Sequence, residues 1–357
     1  MIVVGSSVVG GAEKQSLLLA KQLSLNFHVE MVFLGKPGPF IEVATNSGVK
    51  VWISRGTMFS DLKTIFLCVS KIKPTCQINL LYRADILGGL VGKILQVQTV
   101  INSARNTSWP NFNVRKKLLL RIVSKIIPTY VVANSQAAAT WHISIGYPKS
   151  KFVVIPNILD VGMVPGKSGR KSNLRSPVRL GIASRAVIGK GHEALIRAVK
   201  TLETRGVRCE VWFKGYGVPD WDLILEERKR SGIVLNLQEG ELDLSQWFRD
   251  IDIYCGISEN WESDSNSVNE AVLSQVPLIV SELISITDYS PPPPQVKAGV
   301  PDSIAEGILE ILRFPFNELD ENLEARQENL IQSREIVSIA KMWTDLMQDP
   351  KSIGKYI

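Results

Sequence analysis

The sequence predicts an α/β fold made of two successive halves, each a parallel sheet covered by helices on both faces. Three observations carry this. Short β-branched runs alternate with stretches of helical periodicity along the chain, and that alternation restarts after one interruption rich in Gly, Ser, Pro and Lys. A length of 357 residues also exceeds what one ordinary core accommodates, so about two domains are expected.

The elements follow in order. The opening "MIVVGSSVVGGAEKQSLLLAKQL" reads as strand, glycine-bearing loop and helix, with Leu17, Leu18, Ala20 and Leu23 recurring at helical spacing. Strand-like runs follow in "HVEMVFLG", "VKVWIS", "QINLLY" and "QTVINS", and the half closes with "TYVVANS" and "KFVVIPN". Residues 160–178, "DVGMVPGKSGRKSNLRSPV", are read as the linker. The pattern resumes with "VRLGIAS", the loop "RAVIGKG" and the helix "HEALIRAVKTLETRG", whose last glycine suits a C-cap. Later strands are "CEVWFKGYG", "GIVLNLQ", "DIDIYCGIS" and "VPLIVS". The final helix carries an apolar stripe through Ile336, Ile339, Met342, Trp343 and Leu346. The expected organisation is therefore residues 1–159, a linker at 160–178, a second domain at 179–335 and a terminal helix at 336–357.

Composition narrows the function classes. Hydrophobic residues at 45% and charged residues at 21% describe a globular chain. No run approaches the roughly 20 apolar residues of a spanning helix, and Met1 leads straight into an apolar run without a charged leader, so a cytoplasmic location is expected. Cys68, Cys76, Cys209 and Cys255 form no CxxC pair or Cys/His cluster and read as reduced core thiols. The net charge of +6 suits an anionic partner, but the basic segments lack interleaved aromatics, which argues against nucleic acid. In "VRKKLLLRIVSKII", residues 114–127, Lys117, Arg121 and Lys125 lie opposite Val114, Leu118 and Ile122; the segment reads as an anionic-membrane contact or as an ordinary solvated helix. His28, His142 and His192 are scattered, and no triad can be built from them.

Four motifs bear on chemistry. "ENWESDSNSVNEAVLSQVP" sets Glu262 and Glu270 eight positions apart. Ser267 to Glu270 fits a capping box, which gives Glu270 a purely structural reading. Its place after a strand of a parallel sheet gives the other reading, in which the Asn266 and Ser267 amides face a phosphate and Glu270 a ribose. "SRAVIGKG" puts Arg185 and Lys190 in a loop between strand and helix, where two cations can neutralise a departing diphosphate. "VGGAE" offers Gly10 and Gly11 for close backbone approach, yet it is not GxGxxG and does not mark a nicotinamide site. The pairs Asp250/Asp252 and Asp220/Asp222 are read as structural, leaving no metal site.

Together these motifs resemble the retaining glycosyltransferases of the two-Rossmann (GT-B) type, family 4, over nearly the whole chain. "GGAE" resembles the family's N-terminal glycine loop, "VVANSQAAATWHISIGYPKSKFVVIPNILD" the stretch closing its first domain, "SRAVIGKG" its Arg and Lys diphosphate motif, and "ENWESDSNSVNEAVLSQVPLIVS" its signature of two glutamates separated by seven residues. The resemblance implies two Rossmann-like domains facing each other across a cleft, with the last helix crossing back onto the first. It implies that Glu270 holds the donor ribose, Glu262 contacts the donor sugar, Arg185 and Lys190 stabilise the leaving diphosphate, and Gly10 and Gly11 admit donor and acceptor. No cofactor or divalent ion is implied. The co-substrate is a nucleotide sugar, a UDP-sugar before a GDP-sugar, and the acceptor a glycan or lipid-linked molecule of bacterial surface polysaccharide synthesis (lipopolysaccharide or exopolysaccharide), at the cytoplasmic face of the inner membrane. Two departures stand out. Arg105 occupies the segment where many relatives carry His and is the acceptor-side candidate, and "ELISITDYSPPPPQVKAG" replaces a glycine-rich loop. An inactive nucleotide- or glycan-binding partner subunit and a sugar-nucleotide epimerase are the competing readings.

Overall fold

A computed structural model describes residues 1–105, 114–160, 176–240 and 244–348. The chain forms two compact units, Met1–Ile158 joined by the last helix, and Leu159–Glu335. Most of the sequence-read linker, residues 161–175, lies outside the described residues. Asp160 and Val178 belong to the second unit.

The first unit is a seven-stranded parallel sheet of β1 (Ile2–Val4), β2 (Glu30–Phe33), β3 (Lys50–Ile53), β4 (Cys76–Leu80), β5 (Thr99–Ala104), β6 (Tyr130–Ala133) and β7 (Phe152–Val154). The strand order is β3-β2-β1-β4-β5-β6-β7, so the winding reverses between β1 and β4. The connecting helices are α1 (Gly11–Leu23), α2 (Phe40–Asn46), α3 (Met58–Ile72), α4 (Tyr82–Ile94), α5 (Val114–Ile126) and α6 (Gln136–Ser144). Right-handed crossovers place α1 and α2 on one face and α3 to α6 on the other. Val3, Val32, Ile65, Cys68, Ala84 and Val91 form a core layer joining sheet, α3 and α4. Beneath α4, Gln77 Nε2 donates to Asn79 Oδ1 (2.8 Å) and Asn79 Nδ2 to Asn102 Oδ1 (2.9 Å), the second bond joining β4 to β5.

The second unit repeats the scheme with β8 (Val178–Ala183), β9 (Cys209–Lys214), β10 (Leu235–Gln238), β11 (Ile253–Gly256), β12 (Leu278–Ser281) and β13 (Gln295–Val296), ordered β10-β9-β8-β11-β12-β13 and all parallel. Its helices are α7 (His192–Thr204), α8 (Asp222–Ser231), α9 (Ser245–Asp250), α10 (Asn266–Leu273), α11 (Pro301–Arg313) and α12 (Phe316–Ser333). Gly206, in left-handed backbone just past α7, supplies the C-cap glycine read from sequence. The last helix, α13 (Ile336–Gln348), packs on α1 in the first unit and buries Ile339, Trp343 and Leu346.

All four cysteines are buried free thiols, and burial pushes Cys68, Cys76 and Cys209 up to about 12. Among the described residues, no helix is long and apolar enough to cross a membrane. The α5 stripe needs correction. Leu118 (56% exposed) and Ile122 (47%) do not lie opposite the cations but face outward with Arg121 and Lys125, while Leu120 and Val123 are the buried positions. Adjacent leucines at 118–120 fit either face of a helix, and tertiary packing selects Leu120 and Val123 for burial. The side chains of Val114 and Lys117 lie outside the described residues.

Candidate functional site

In the second unit the winding reverses between β8 and β11, and an open parallel sheet presents its ligand-binding crevice at the carboxyl ends of the strands flanking that point. The loop after β8 carries Arg185 and Lys190; the loop after β11 carries Glu262 and runs into α10. Gly189 and Gly191, both in left-handed backbone, bracket Lys190, and a Cβ on Gly191 would collide with the Ile257 carbonyl oxygen. The loops are laced together. The Gly189 carbonyl accepts from the Glu259 amide (2.8 Å) and from Asn260 Nδ2 (3.3 Å), and Ser281 Oγ donates to the Ser258 carbonyl (2.7 Å).

This lacing brings Lys190 Nζ to 2.5 Å from Glu262 Oε1, with the two side chains 27% and 19% exposed. Burial raises the Glu262 carboxyl, but the Lys190 charge and hydrogen bonds from Lys190, Ser265 and Ser258 outweigh it and hold the group below the usual carboxylate range. Glu262 is therefore an acceptor-only carboxylate at neutral pH. Its backbone is fixed as well, the amide donating to the Leu283 carbonyl at 2.9 Å. Arg185 stands exposed on the same loop, and among the described residues its guanidinium has no hydrogen-bond or ion-pair partner.

The capping box expected at Ser267 to Glu270 does not form. Helix α10 starts at Asn266 with Ser265 as N-cap and no side-chain cap bond, so Ser267 lies inside the first turn and Glu270 in the second. Ser267 Oγ instead accepts from the Tyr254 hydroxyl (2.8 Å). Asn266 and Ser267 do supply the first-turn backbone of α10. Half-buried Glu270 lines a small cavity with Asp160, Ser245, Phe248 and Leu273.

Sequence reasoning missed a second ion cluster two residues beyond Glu262. Arg334 Nη1 donates to both oxygens of Asp264 (2.8 and 2.9 Å), and its Nε donates to Asp288 (3.0 Å). Arg334 is 7% and Asp264 2% exposed. Asn269 Nδ2 donates to Asp264 (2.8 Å) and Asn269 Oδ1 accepts from the Tyr289 hydroxyl (2.6 Å), so the proline-bearing segment after β12 is tied to α10. Nothing in "TDYS" or "SREI" marks these residues, because they meet only through tertiary packing. The flanking glycines of Lys190 were the readable signal for the other cluster.

The remaining candidates lie in the first unit. Gly10 is the N-cap of α1, with an extended rather than left-handed backbone, and Gly11 is the first helical residue. Both sit near the β1/β4 reversal. Arg105 follows β5, its Nε donating to Ser103 Oγ (2.8 Å) and its Nη1 to Asn157 Oδ1 (2.6 Å). Nearby, burial pushes the Asp85 carboxyl well above the usual range, opposed by the Ser103 amide and the Arg105 charge.

The other titratable candidates resolve as structure. His192 and His142 are buried, and burial lowers them to about 3 and about 4. Asp252 accepts the Arg179 amide at 2.8 Å, and Asp222 opens α8. Among the described residues, no group of three or more His, Cys, Asp or Glu side chains is placed to hold a metal.

No family model matches the chain, and no curated protein matches it in sequence. Solved structures match in shape. HepE from Anabaena in complex with UDP-glucose gives a TM-score of 0.83 at 16% identity, covering 97% of this chain and 98% of its own. A glycosyltransferase from Rickettsia africae gives 0.77 at 14% identity, covering 98% of each chain. The fold is the GT-B fold. The lipopolysaccharide outer core galactosyltransferase WaaB, in its apo form, is similar at a TM-score of 0.63 and 13% identity, covering 96% of this chain and 97% of its own. The Rickettsia africae protein and WaaB are glycosyltransferases, and the HepE complex holds the nucleotide sugar UDP-glucose.

Proposed function

We propose that this chain is a retaining family 4 glycosyltransferase. It transfers a sugar from a nucleotide diphosphate sugar, UDP-linked before GDP-linked, to a glycan or lipid-linked acceptor in bacterial surface polysaccharide synthesis, at the cytoplasmic face of the inner membrane and without a divalent metal. The observation that carries the reading is the Lys190–Glu262 pair at the carboxyl ends of β8 and β11, with Lys190 set between two left-handed glycines. A diphosphate at this loop offers Lys190 and Arg185 an anion, so both cations meet the charge that grows as the anomeric bond breaks. Glu262 then turns its acceptor oxygens to the donor sugar hydroxyls, and Glu270 takes the ribose. The transition state is oxocarbenium-like, and same-face attack by the acceptor needs no protein nucleophile.

The test is a panel of UDP-, GDP- and ADP-sugars incubated with the protein and EDTA, with product configuration read by NMR. Turnover of one donor class with retained anomeric configuration is expected. Nucleotide binding without turnover across the panel identifies the inactive binder, and interconversion of free donor identifies the epimerase.

A further inference from the structure

Glu262 is braced from two directions. Its amide donates to the Leu283 carbonyl (2.9 Å) and its carbonyl accepts the Ser285 amide (3.5 Å), so a short parallel bridge lays the strap after β12, residues 283–291, along its backbone. From the other direction Ser265, the N-cap of α10, bonds the Glu262 carboxyl. Whatever fixes the strap and the α10 turn therefore fixes the carboxylate.

One side chain holds both. Arg334, the C-cap of α12, grips Asp264, directly before Ser265, with Nη1. Its Nε (3.0 Å) and Nη2 (2.5 Å) donate to Asp288 Oδ2, three residues beyond Ser285 on the strap. Asn269 closes the ring by joining Asp264 to the Tyr289 hydroxyl. Two residues of α12 secure the far end of the strap, Arg326 Nε donating to the Pro291 carbonyl (2.7 Å) and Asn329 Nδ2 to the Ser290 carbonyl (3.1 Å).

A buried ion pair is often no more stable than apolar packing of the same volume. What a guanidinium adds is direction, because its planar fork holds two acids at set angles, as an aliphatic side chain cannot. The two acids held here belong to the two segments that meet at Glu262. Lys190, by contrast, reaches the same carboxylate on a flexible stem.

We infer that Arg334 is a positioning residue for Glu262, setting its carboxylate through the Asp264–Ser265 turn on one side and through the strap on the other. The proline-bearing segment is then a brace that presets the carboxylate before a ligand arrives. The inference rests on the reading of Glu262 as the donor-sugar contact.

Amide hydrogen exchange of the ligand-free full chain, resolved by NMR, tests the positioning by itself. Arg334→Lys keeps the charge and loses the fork. It should speed exchange at the Glu262 and Ser285 amides about tenfold or more, while Ile182 and Phe213, buried in β8 and β9, keep wild-type rates. Asp288 is 35% exposed, so Asp288→Asn leaves the fold intact and should act in the same direction even if Arg334→Lys fails to fold. Calorimetry with UDP-glucose tests the consequence, and both variants should bind it about tenfold more weakly than wild type. The inference is overturned if exchange at Glu262 and Ser285 is unchanged, or if it rises only in step with Ile182 and Phe213. It is equally overturned if wild type and both folded variants bind UDP-glucose with one affinity. Local exchange that rises as expected in a chain that binds no UDP-glucose upholds the positioning and removes the donor reading instead.

Discussion

Two carboxylates two residues apart, Glu262 and Asp264, each meet a cation, and the two pairs differ in every other respect. Asp264 and Arg334 are sealed from solvent, and both oxygens of the acid are bonded by the guanidinium. Glu262 and Lys190 are partly open, joined by a single flexible ammonium on a glycine-flanked loop. A sealed bidentate pair has nowhere to go and serves the scaffold, while an open pair can exchange its partner for a ligand. The lesson is that exposure and hydrogen-bond multiplicity, more than the presence of an ion pair, separate a site from the frame that holds it.

Breaking the sealed pair should have the largest effect on stability. Arg334→Met leaves the Asp264 charge buried without its guanidinium and should cost about 3–5 kcal/mol in denaturant unfolding. Breaking the open pair should do the reverse. Lys190→Ala should lower transfer by about 100-fold or more while stability changes by no more than ~1 kcal/mol, as the two assays run side by side will show. A pH series sharpens the contrast. The Glu262 carboxyl is depressed in the folded state, so its stabilisation is present above the unfolded value of about 4.3 and fades as pH falls through the folded value. The stability gap between wild type and Glu262→Gln should therefore shrink from about pH 6 to below about pH 4. The smallest effect is expected at Glu270. Because no capping box forms, Glu270→Ala should shift the unfolding free energy by less than about 0.5 kcal/mol and act on donor turnover instead.

Much of this was legible from local chemistry. Alternating strand and helix patterns revealed both parallel sheets, and the position of "SRAVIGKG" between a strand and a helix placed Arg185 and Lys190 in one loop. Helix α10 is capped at Ser265, two residues before Ser267; both serines suit an N-cap, and the Tyr254 hydroxyl occupies Ser267 Oγ. The inverted face of α5 has a similar origin, since three leucines in a row fit either side of a helix. Arg334, Asp288 and Tyr289 were invisible for another reason. They lie between 20 and 70 positions from the residues they hold, a separation that no sequence periodicity encodes.

The central claim is that the loop around Lys190 and Glu262 binds a nucleoside diphosphate group. Calorimetric titration of UDP into wild type and Lys190→Ala measures this most directly. The account predicts saturable binding to the wild type, weakened about tenfold or more by the substitution. Equal affinity for the two proteins, with both folded, would contradict it.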